Sequence, residues 1–406
     1  MFNIQISHVK RIRYFRRLKK SFAPKNKNIL SQHGVLVIAI AFALLIPFFP
    51  ALESSLDSIK TSSYPDAYAK TVQLDKNSGT EIARGVIVKN LNVKQVLTHQ
   101  YDVFSIAFSP DGSQLATGGI LDGRVSIWDA HSGKLIRVIS DQAGSVEVLT
   151  YSPDGKYLVA GRGFVKRIKG NTALNIWNAK TGQLVNNISE PRNVMTLKFS
   201  PDQKYLAVGF LKERNNFNDI YIYDAINWNQ VKTLSTPGGF NKDFFYSHDG
   251  ERFIYWMENS YSINKSEKEN AINILDAKTG KQIRVIKGEP SQSAIKAIAL
   301  SPDSKFIASA DDKNIIRICN IDKGAFTKVQ AGHYGFSNFL TYSPDSKYIV
   351  SVGNDKTIRV WRAMDDTAVA LLKMDSFVHS AAFSPDGRYL AASVGKKVVI
   401  MEFRSF

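Results

Sequence analysis

A single cysteine, Cys319, stands among the 406 residues, so no internal disulfide can form and the redox compartment is left open. The seven histidines (His8, His33, His99, His131, His248, His333 and His379) include no pair at metal-ligand spacing, so no metal site is expected. No glycine-rich phosphate loop and no paired-carboxylate constellation is present, so no cofactor and no catalysis are expected. Acidic residues are missing from the first fifty-two positions; the first is Glu53. The net charge is +17, but nine of the positive charges lie between Lys10 and Lys27. The rest are thinly spread. With no basic helix and no aromatic-rich strand face, nucleic acid is not expected as a partner.

What the chain has in quantity is one short phrase. Ser-Pro-Asp-Gly, or a near copy, begins at Ser109, Ser152, Ser200, Ser247, Ser301, Ser343 and Ser384, at intervals of 43, 48, 47, 54, 42 and 41 residues. Proline presets φ, aspartate bonds the turn backbone and glycine accepts a positive φ, so each phrase reads as a tight turn. Where Gln203, Ser304 and Ser346 replace the glycine, the turn must tolerate a side chain or change type. Alternating apolar runs flank each copy, such as Val103 to Phe108 before the first and Gln114 to Thr117 after it. A third run ends at Ile127-Trp128-Asp129, and a fourth spans Lys134 to Ile139. Four short strands per period of about forty residues define propeller blades. The last unit carries only three strand-like runs, Phe377 to Phe383, Tyr389 to Val394 and Lys397 to Phe403. Val93 to Thr98 resembles a fourth strand with no blade of its own. Pairing it with the last run would leave no open sheet edge in the ring. The expected fold is all-β: a seven-bladed β-propeller over residues 85–406, closed by an N-terminal strand.

These residues carry a resemblance. From about residue 90 onward the chain resembles the WD-repeat (WD-40) β-propellers. Their Trp-Asp pair at the end of the third strand survives as Trp128-Asp129; elsewhere it reads Trp177-Asn178, Tyr223-Asp224, Leu275-Asp276, Cys319-Asn320, Trp361-Arg362 and Met401-Glu402. The resemblance implies a hydrogen-bond chain of His, Ser or Thr, Asp and Trp within a blade. The sixth blade matches as His333, Ser351, Asp355 and Trp361, and the first as His99, Thr117, Asp122 and Trp128 with one extra residue. A Ser/His/Asp set invites a catalytic reading. A nucleophile also needs an exposed hydroxyl and an oxyanion site, and nothing near Ser351 offers either. The set reads as a structural network. Cys319 occupies a tryptophan position and reads as a small buried hydrophobe.

The N-terminal ninety residues differ in kind. Residues 1–34 form a basic tail. Val35 to Leu52 then runs eighteen residues without a charge, just long enough to span a bilayer, with Pro47 and Pro50 near its far end. The basic flank predicts a cytoplasmic N-terminus and a propeller outside the cytoplasm. An uncleaved anchor is the first reading. A cleaved signal peptide and a non-spanning segment such as a mitochondrial presequence remain open. Residues 53–84, rich in Ser, Thr, Ala, Asp and Lys, read as a linker. The membrane is thus an expected contact, through residues 35–52 and the basic tail.

The connection between second and third strands is the most uneven part of the repeat. It is short in the sixth blade but swells in the second, third and fourth, at Arg162 to Thr172, Leu211 to Asp219 and Glu258 to Asn270. Insertions on one face of a repeat protein map to binding surfaces, though drift of a loosely constrained repeat produces them as well. The second-blade segment is the most specific. Arg162, Lys166, Arg167 and Lys169 surround Phe164, Val165 and Ile168, a pattern suited to an acidic partner segment or a headgroup. Two functional classes follow. One is a membrane-tethered scaffold that binds another protein. The other is a propeller enzyme or sensor with a ligand in the central channel. Innermost-strand segments such as Ser105-Ile106-Ala107, Ala297-Ile298-Ala299 and Ser380-Ala381-Ala382 look small and apolar, which favours the scaffold.

Overall fold

The computed structural model describes residues 72–74, 81–83, 91–120, 123–140, 144–163, 172–190, 193–210, 219–234, 236, 243–258, 270–287, 295–311, 313–331, 333, 337–365 and 368–404. All of them belong to one unit, Lys70–Phe406. Seven four-stranded antiparallel sheets make the seven blades. Blade 1 consists of Val103–Phe108, Gln114–Gly119, Arg124–Asp129 and Leu135–Ser140, from the inside outward. The innermost strands of blades 2 to 7 are Val146–Tyr151, Val194–Phe199, Phe244–Tyr246, Ile295–Leu300, Ser337–Tyr342 and Val378–Phe383. The innermost strand of blade 1 neighbours those of blades 2 and 7, which returns the ring to its start.

Closure follows the expected exchange. Leu91–Thr98 pairs antiparallel with Lys397–Phe403, with Val93 opposite Met401 and Thr98 opposite Lys397. It supplies the outer strand of blade 7, so the first strand of the ring and the last lie in one sheet. Upstream, Val72–Leu74 pairs with Glu81–Ala83 in a short hairpin inside the segment read as a linker. The apolar segment 35–52 and the basic tail lie outside the described residues. No helix among the described residues is long and apolar enough to cross a membrane.

The core lies between blades. One cluster joins Leu97, Ala391, Val398 and Ile400 of blade 7 to Val103, Ile106, Leu115 and Trp128 of blade 1. The second strands are the most deeply buried, and Tyr348–Gly353 is buried throughout. Small residues there let sheets approach: a Cβ on Gly118 would lie 2.4 Å from Val146 Cγ1, and one on Gly161 would lie 2.5 Å from Val194 Cγ1. The repeated turns also interlock. At the first, Gly112 N–H donates to Ser109 O at 2.8 Å. Gln114 N–H donates to Ser109 Oγ at 2.9 Å, and Ser113 N–H to Asp111 Oδ1 at 3.0 Å. Gln203, Ser304 and Ser346 keep the same turn by adopting positive φ of 64°, 58° and 60°.

A second device ties neighbouring blades at their outer edges. Gln95 Nε2 donates to His131 O at 3.1 Å, and Arg137 Nη1 to Lys180 O at 2.9 Å. Lys232 Nζ donates to Lys278 O at 2.7 Å, and Arg284 Nη1 to Asp322 O at 2.6 Å. Each reaches from an outer strand to the turn between third and outer strands of the next blade. Between blades 2 and 3 the contact is aromatic: Trp228, buried, packs edge-on against Tyr157 with centroids 5.2 Å apart.

Candidate functional site

The sequence marks three places in the propeller: the histidine networks, the enlarged connections and the central channel.

In blade 6 the structure brings His333, Ser351, Asp355 and Trp361 together. Trp361 Nε1–H donates to Ser351 Oγ at 2.9 Å, and Ser351 Oγ lies 2.8 Å from His333 Nε2. His333 Nδ1 faces Asp355 Oδ1 at 2.9 Å. The carboxylate accepts, so Nδ1 carries the proton and Ser351 donates to Nε2. Every donor in the chain then has an acceptor. Two members escaped the sequence reading. Thr357 Oγ1 donates to Asp355 Oδ1 at 2.7 Å, and Arg359 Nη2 reaches Asp355 Oδ2 at 3.4 Å. Ser351 is fully buried and its oxygen is taken by the indole, so the order Ser–His–Asp here ties strands together and presents no nucleophile to solvent.

Blade 1 repeats part of the pattern. Trp128 Nε1–H donates to Thr117 Oγ1 at 3.0 Å, and His99 Nε2 lies 2.9 Å from the same oxygen. The rings of His99 and Trp128 meet edge-on at 5.1 Å. Asp122 lies outside the described residues. Blade 5 has its own version: buried Asp311 pairs with Arg317 and accepts the Ile315 N–H at 2.9 Å. Its tryptophan position holds Cys319, a buried free thiol pushed up to about 12 by burial.

The turn aspartates are fixed acceptors. The Ser109 hydroxyl and the Ser113 N–H hold Asp111 below the usual carboxylate range. Ser247 and the Glu251 N–H do the same to Asp249.

Of the second-blade binding candidates, Arg162 ends the second strand, half-buried and opposite Val146. Phe164, Lys166, Arg167 and Lys169 lie outside the described residues. The antiparallel order puts the second-to-third connections of blades 2, 3 and 4 at the same end of their sheets as the connections between blades.

The central channel departs from the sequence reading. Its cavity of about 830 Å³ is lined by the innermost strands and includes Glu147, Lys198, Asp243, Lys296, Asn338 and His379. Asp243 Oδ1 accepts the Thr196 hydroxyl at 2.6 Å, and Lys198 Nζ lies 3.4 Å from Asp243 Oδ2. Lys198 Nζ also sits 4.7 Å from the centre of the Phe245 ring. At the start of the strands His379 stacks on Phe104 at 4.3 Å; burial lowers its pKa against the pull of Asp102. Aligning the seven strands on the turn serine exposes the signal. Asp243 stands four residues before Ser247, where the other blades carry Ser105, Val148, Thr196, Ala297, Phe339 and Ser380. Among the described residues no cluster of His, Cys, Asp and Glu could hold a metal ion.

The WD domain, G-beta repeat model matches residues 91–129, 280–320, 324–362 and 371–400. Each match is one outer strand followed by three strands of the next blade, so the repeat in the sequence straddles the blade in space. The chain therefore carries WD40 repeats and folds as a WD-repeat propeller. Blades 2, 3 and 4, with the enlarged connections, are the ones without a match. Among its relatives are the Periodic tryptophan protein 2 homolog of Dictyostelium discoideum, 25% identical over 57% of this chain and 30% of that protein. Protein hir1 of Schizosaccharomyces pombe is 23% identical over 60% of this chain and 22% of that protein. The WD repeat-containing protein 26 homolog of Drosophila melanogaster is 25% identical over 64% of this chain and 46% of that protein. The chain thus spans less than half the length of each of these relatives.

Proposed function

We propose that this protein is a non-catalytic scaffold whose propeller binds another protein, tethered to a membrane by residues 35–52 with the basic tail in the cytoplasm and the propeller outside it. The observation that carries the scaffold reading is the arrangement of blades 2, 3 and 4. Three consecutive enlarged connections begin at one end of a rigid ring, where the repeat departs most from its own pattern. Surface connections on a rigid scaffold are where binding concentrates. The relatives, among them a WD repeat-containing protein, support an interaction role. The tether rests on the sequence: nine basic residues before Val35 and none between Val35 and Ile59.

The test shortens Arg162 to Thr172 to a tight turn in the full-length protein. Folding should persist, because surface connections tolerate length changes at small entropic cost. Capture of a partner identified with the unaltered protein should be lost. Lys166→Glu with Arg167→Glu should weaken it in a salt-dependent way. Retention of that partner by the shortened protein would move the binding face elsewhere. The topology is tested separately: protease added to intact cells or spheroplasts should digest the propeller and spare the tail.

A second reading is favoured by the Lys198–Asp243 pair, a half-buried charge pair in the lumen that five other blades replace with Ala or Thr at the Lys198 level. It is a small-molecule sensor or enzyme with a ligand in the channel. Lys198→Ala would then abolish ligand-induced stabilisation while leaving partner capture intact.

A further inference from the structure

One end of the ring carries the connections between blades and the turns between second and third strands. In blades 5, 6 and 7 those turns are short, and each lifts a lysine into solvent: Lys313, Lys356 and Lys396. None of the three pairs with a carboxylate among the described residues. The carboxylates around them are committed elsewhere. Asp311 pairs with Arg317, Asp355 with Arg359, and Asp375 with Lys397. Asp102 is half-buried near His379, and Asp312 lies outside the described residues.

Flanked by the turns of Lys356 and Lys396 stands Phe377, 48% exposed. It belongs to the connection between blades 6 and 7, and both turns hold that connection. Met374 N–H donates to Lys356 O at 2.7 Å, and Gly395 N–H donates to Phe377 O at 3.0 Å. A Cβ on Gly395 would lie 2.7 Å from Ser376 Oγ, so the turn of blade 7 packs directly on the connection. Lys356 Nζ sits 5.7 Å from the centre of the Phe377 ring. On the channel side, Asn338 Nδ2 donates to Asn354 Oδ1 at 2.6 Å and to Val378 O at 3.1 Å, which fixes the backbone just after Phe377. A side chain this large and apolar is ordinarily covered. Here the backbone on both sides of it is already bonded in place, so a partner meets it with little ordering cost.

We propose that Phe377, with Lys356 and Lys396, anchors an acidic peptide segment of a partner protein, one that carries a bulky apolar residue among its carboxylates. The proposal rests on the scaffold reading and names the partner's chemistry. Binding energy concentrates on rigid aromatic anchors, and exposed cations around them steer and hold negative groups. The basic second-blade connection begins at the same end of the ring, at Arg162, and suits the same partner. A nucleic-acid strand needs successive aromatic platforms, and Phe377 is the one exposed aromatic among the described residues of this end.

The probe is a fluorescein-labelled Asp-Glu-Phe-Asp-Glu peptide, read by anisotropy against the full-length protein in a neutral detergent. Binding should appear at low salt and weaken as salt rises. Phe377→Ala should weaken it about tenfold. Lys356→Gln and Lys396→Gln should each weaken it about threefold. Lys323→Gln, in an exposed turn at the opposite end of blade 5, should change nothing. A Lys-Arg-Phe-Lys-Arg peptide should not bind, and Asp-Glu-Gly-Asp-Glu should lose as much affinity as Phe377→Ala does. Unchanged melting temperatures show that the variants fold. Partner capture by the protein shortened at Arg162 to Thr172 is measured separately, so the two readings fail independently. Absence of probe binding, binding undiminished by Phe377→Ala, or tighter binding of an oligothymidylate or of anionic vesicles at the same residues would overturn the proposal.

Discussion

At the scale of single residues, two departures from the repeated turn compensate each other. Blade 4 has His248 where the phrase has proline, which frees a backbone N–H. Blade 5 has Ser304 where the phrase has glycine, and Ser304 Oγ accepts that N–H at 2.7 Å. Ser346 sits in the same left-handed conformation with no such task. Ser346→Gly should therefore raise stability by roughly 0.5–1 kcal/mol, since a non-glycine residue is strained at positive φ. Ser304→Gly should gain less or lose, because it strips the His248 N–H of its acceptor. Adding His248→Pro should restore the gain. Urea denaturation of the three variants checks this; equal effects of Ser304→Gly and Ser346→Gly would mean the inter-blade bond contributes nothing.

At the scale of the element, the turns and networks decide how each blade holds. Asp355 accepts from His333, Thr357 and Arg359 at once, so Asp355→Ala should destabilise by roughly 1–3 kcal/mol, leaving buried donors unpaired. Combined with His333→Ala the loss should be less than additive, and strict additivity in a double-mutant cycle would separate the two residues. The turn carboxylates make a second prediction. Asp111, Asp154, Asp202, Asp249 and Asp386 are all held below their ordinary pKa in the fold, with Ser hydroxyls and backbone N–H groups bonding the charged form. Their stabilisation is complete above the unfolded value of about 3.9 and is lost as pH falls through the lower folded values. Melting temperature should hold from neutral pH down to about pH 5 and drop below about pH 4; a flat profile into strong acid would contradict it. The same elements show what the sequence makes legible. The Ser-Pro-Asp-Gly turns are local, and the strands on either side of them alternate, so blade boundaries could be read directly. Thr357 and Arg359 join a network whose four expected members carry no hint of them. The outer-edge bonds from Gln95, Arg137, Lys232 and Arg284 pair residues about forty positions apart by way of backbone carbonyls, which have no residue signature. The channel pair is hidden for another reason: each innermost strand alone is mostly small and apolar, and Lys198 and Asp243 stand out only against the equivalent positions of the other blades.

At the scale of the whole molecule, stability depends on closing the ring. Each blade buries its faces against two neighbours, and the cluster between blades 7 and 1 includes Leu97 from the closing strand. Gln95 of that strand also bonds to the turn of blade 1. Losing Leu91–Thr98 therefore does more than shorten a sheet. It bares the edge of Lys397–Phe403, exposes part of the junction between blades 7 and 1, and removes one inter-blade bond. An open edge is a template for pairing with other chains. A chain from Gly85 to Phe406 should fold alone and unfold in one cooperative transition, whereas one from Asp102 should melt at least about 10 °C lower or aggregate. That figure follows from burial of the Leu97 side chain, roughly 2–3 kcal/mol, plus the lost sheet bonds. A peptide spanning residues 89–100 added to the shorter chain should recover part of the loss in a concentration-dependent way, because it binds only the folded ring. Equal melting temperatures for the two chains, with no response to the peptide, would show that Leu91–Thr98 is an ornament of blade 7 and that the ring is held by the contacts among its inner strands alone.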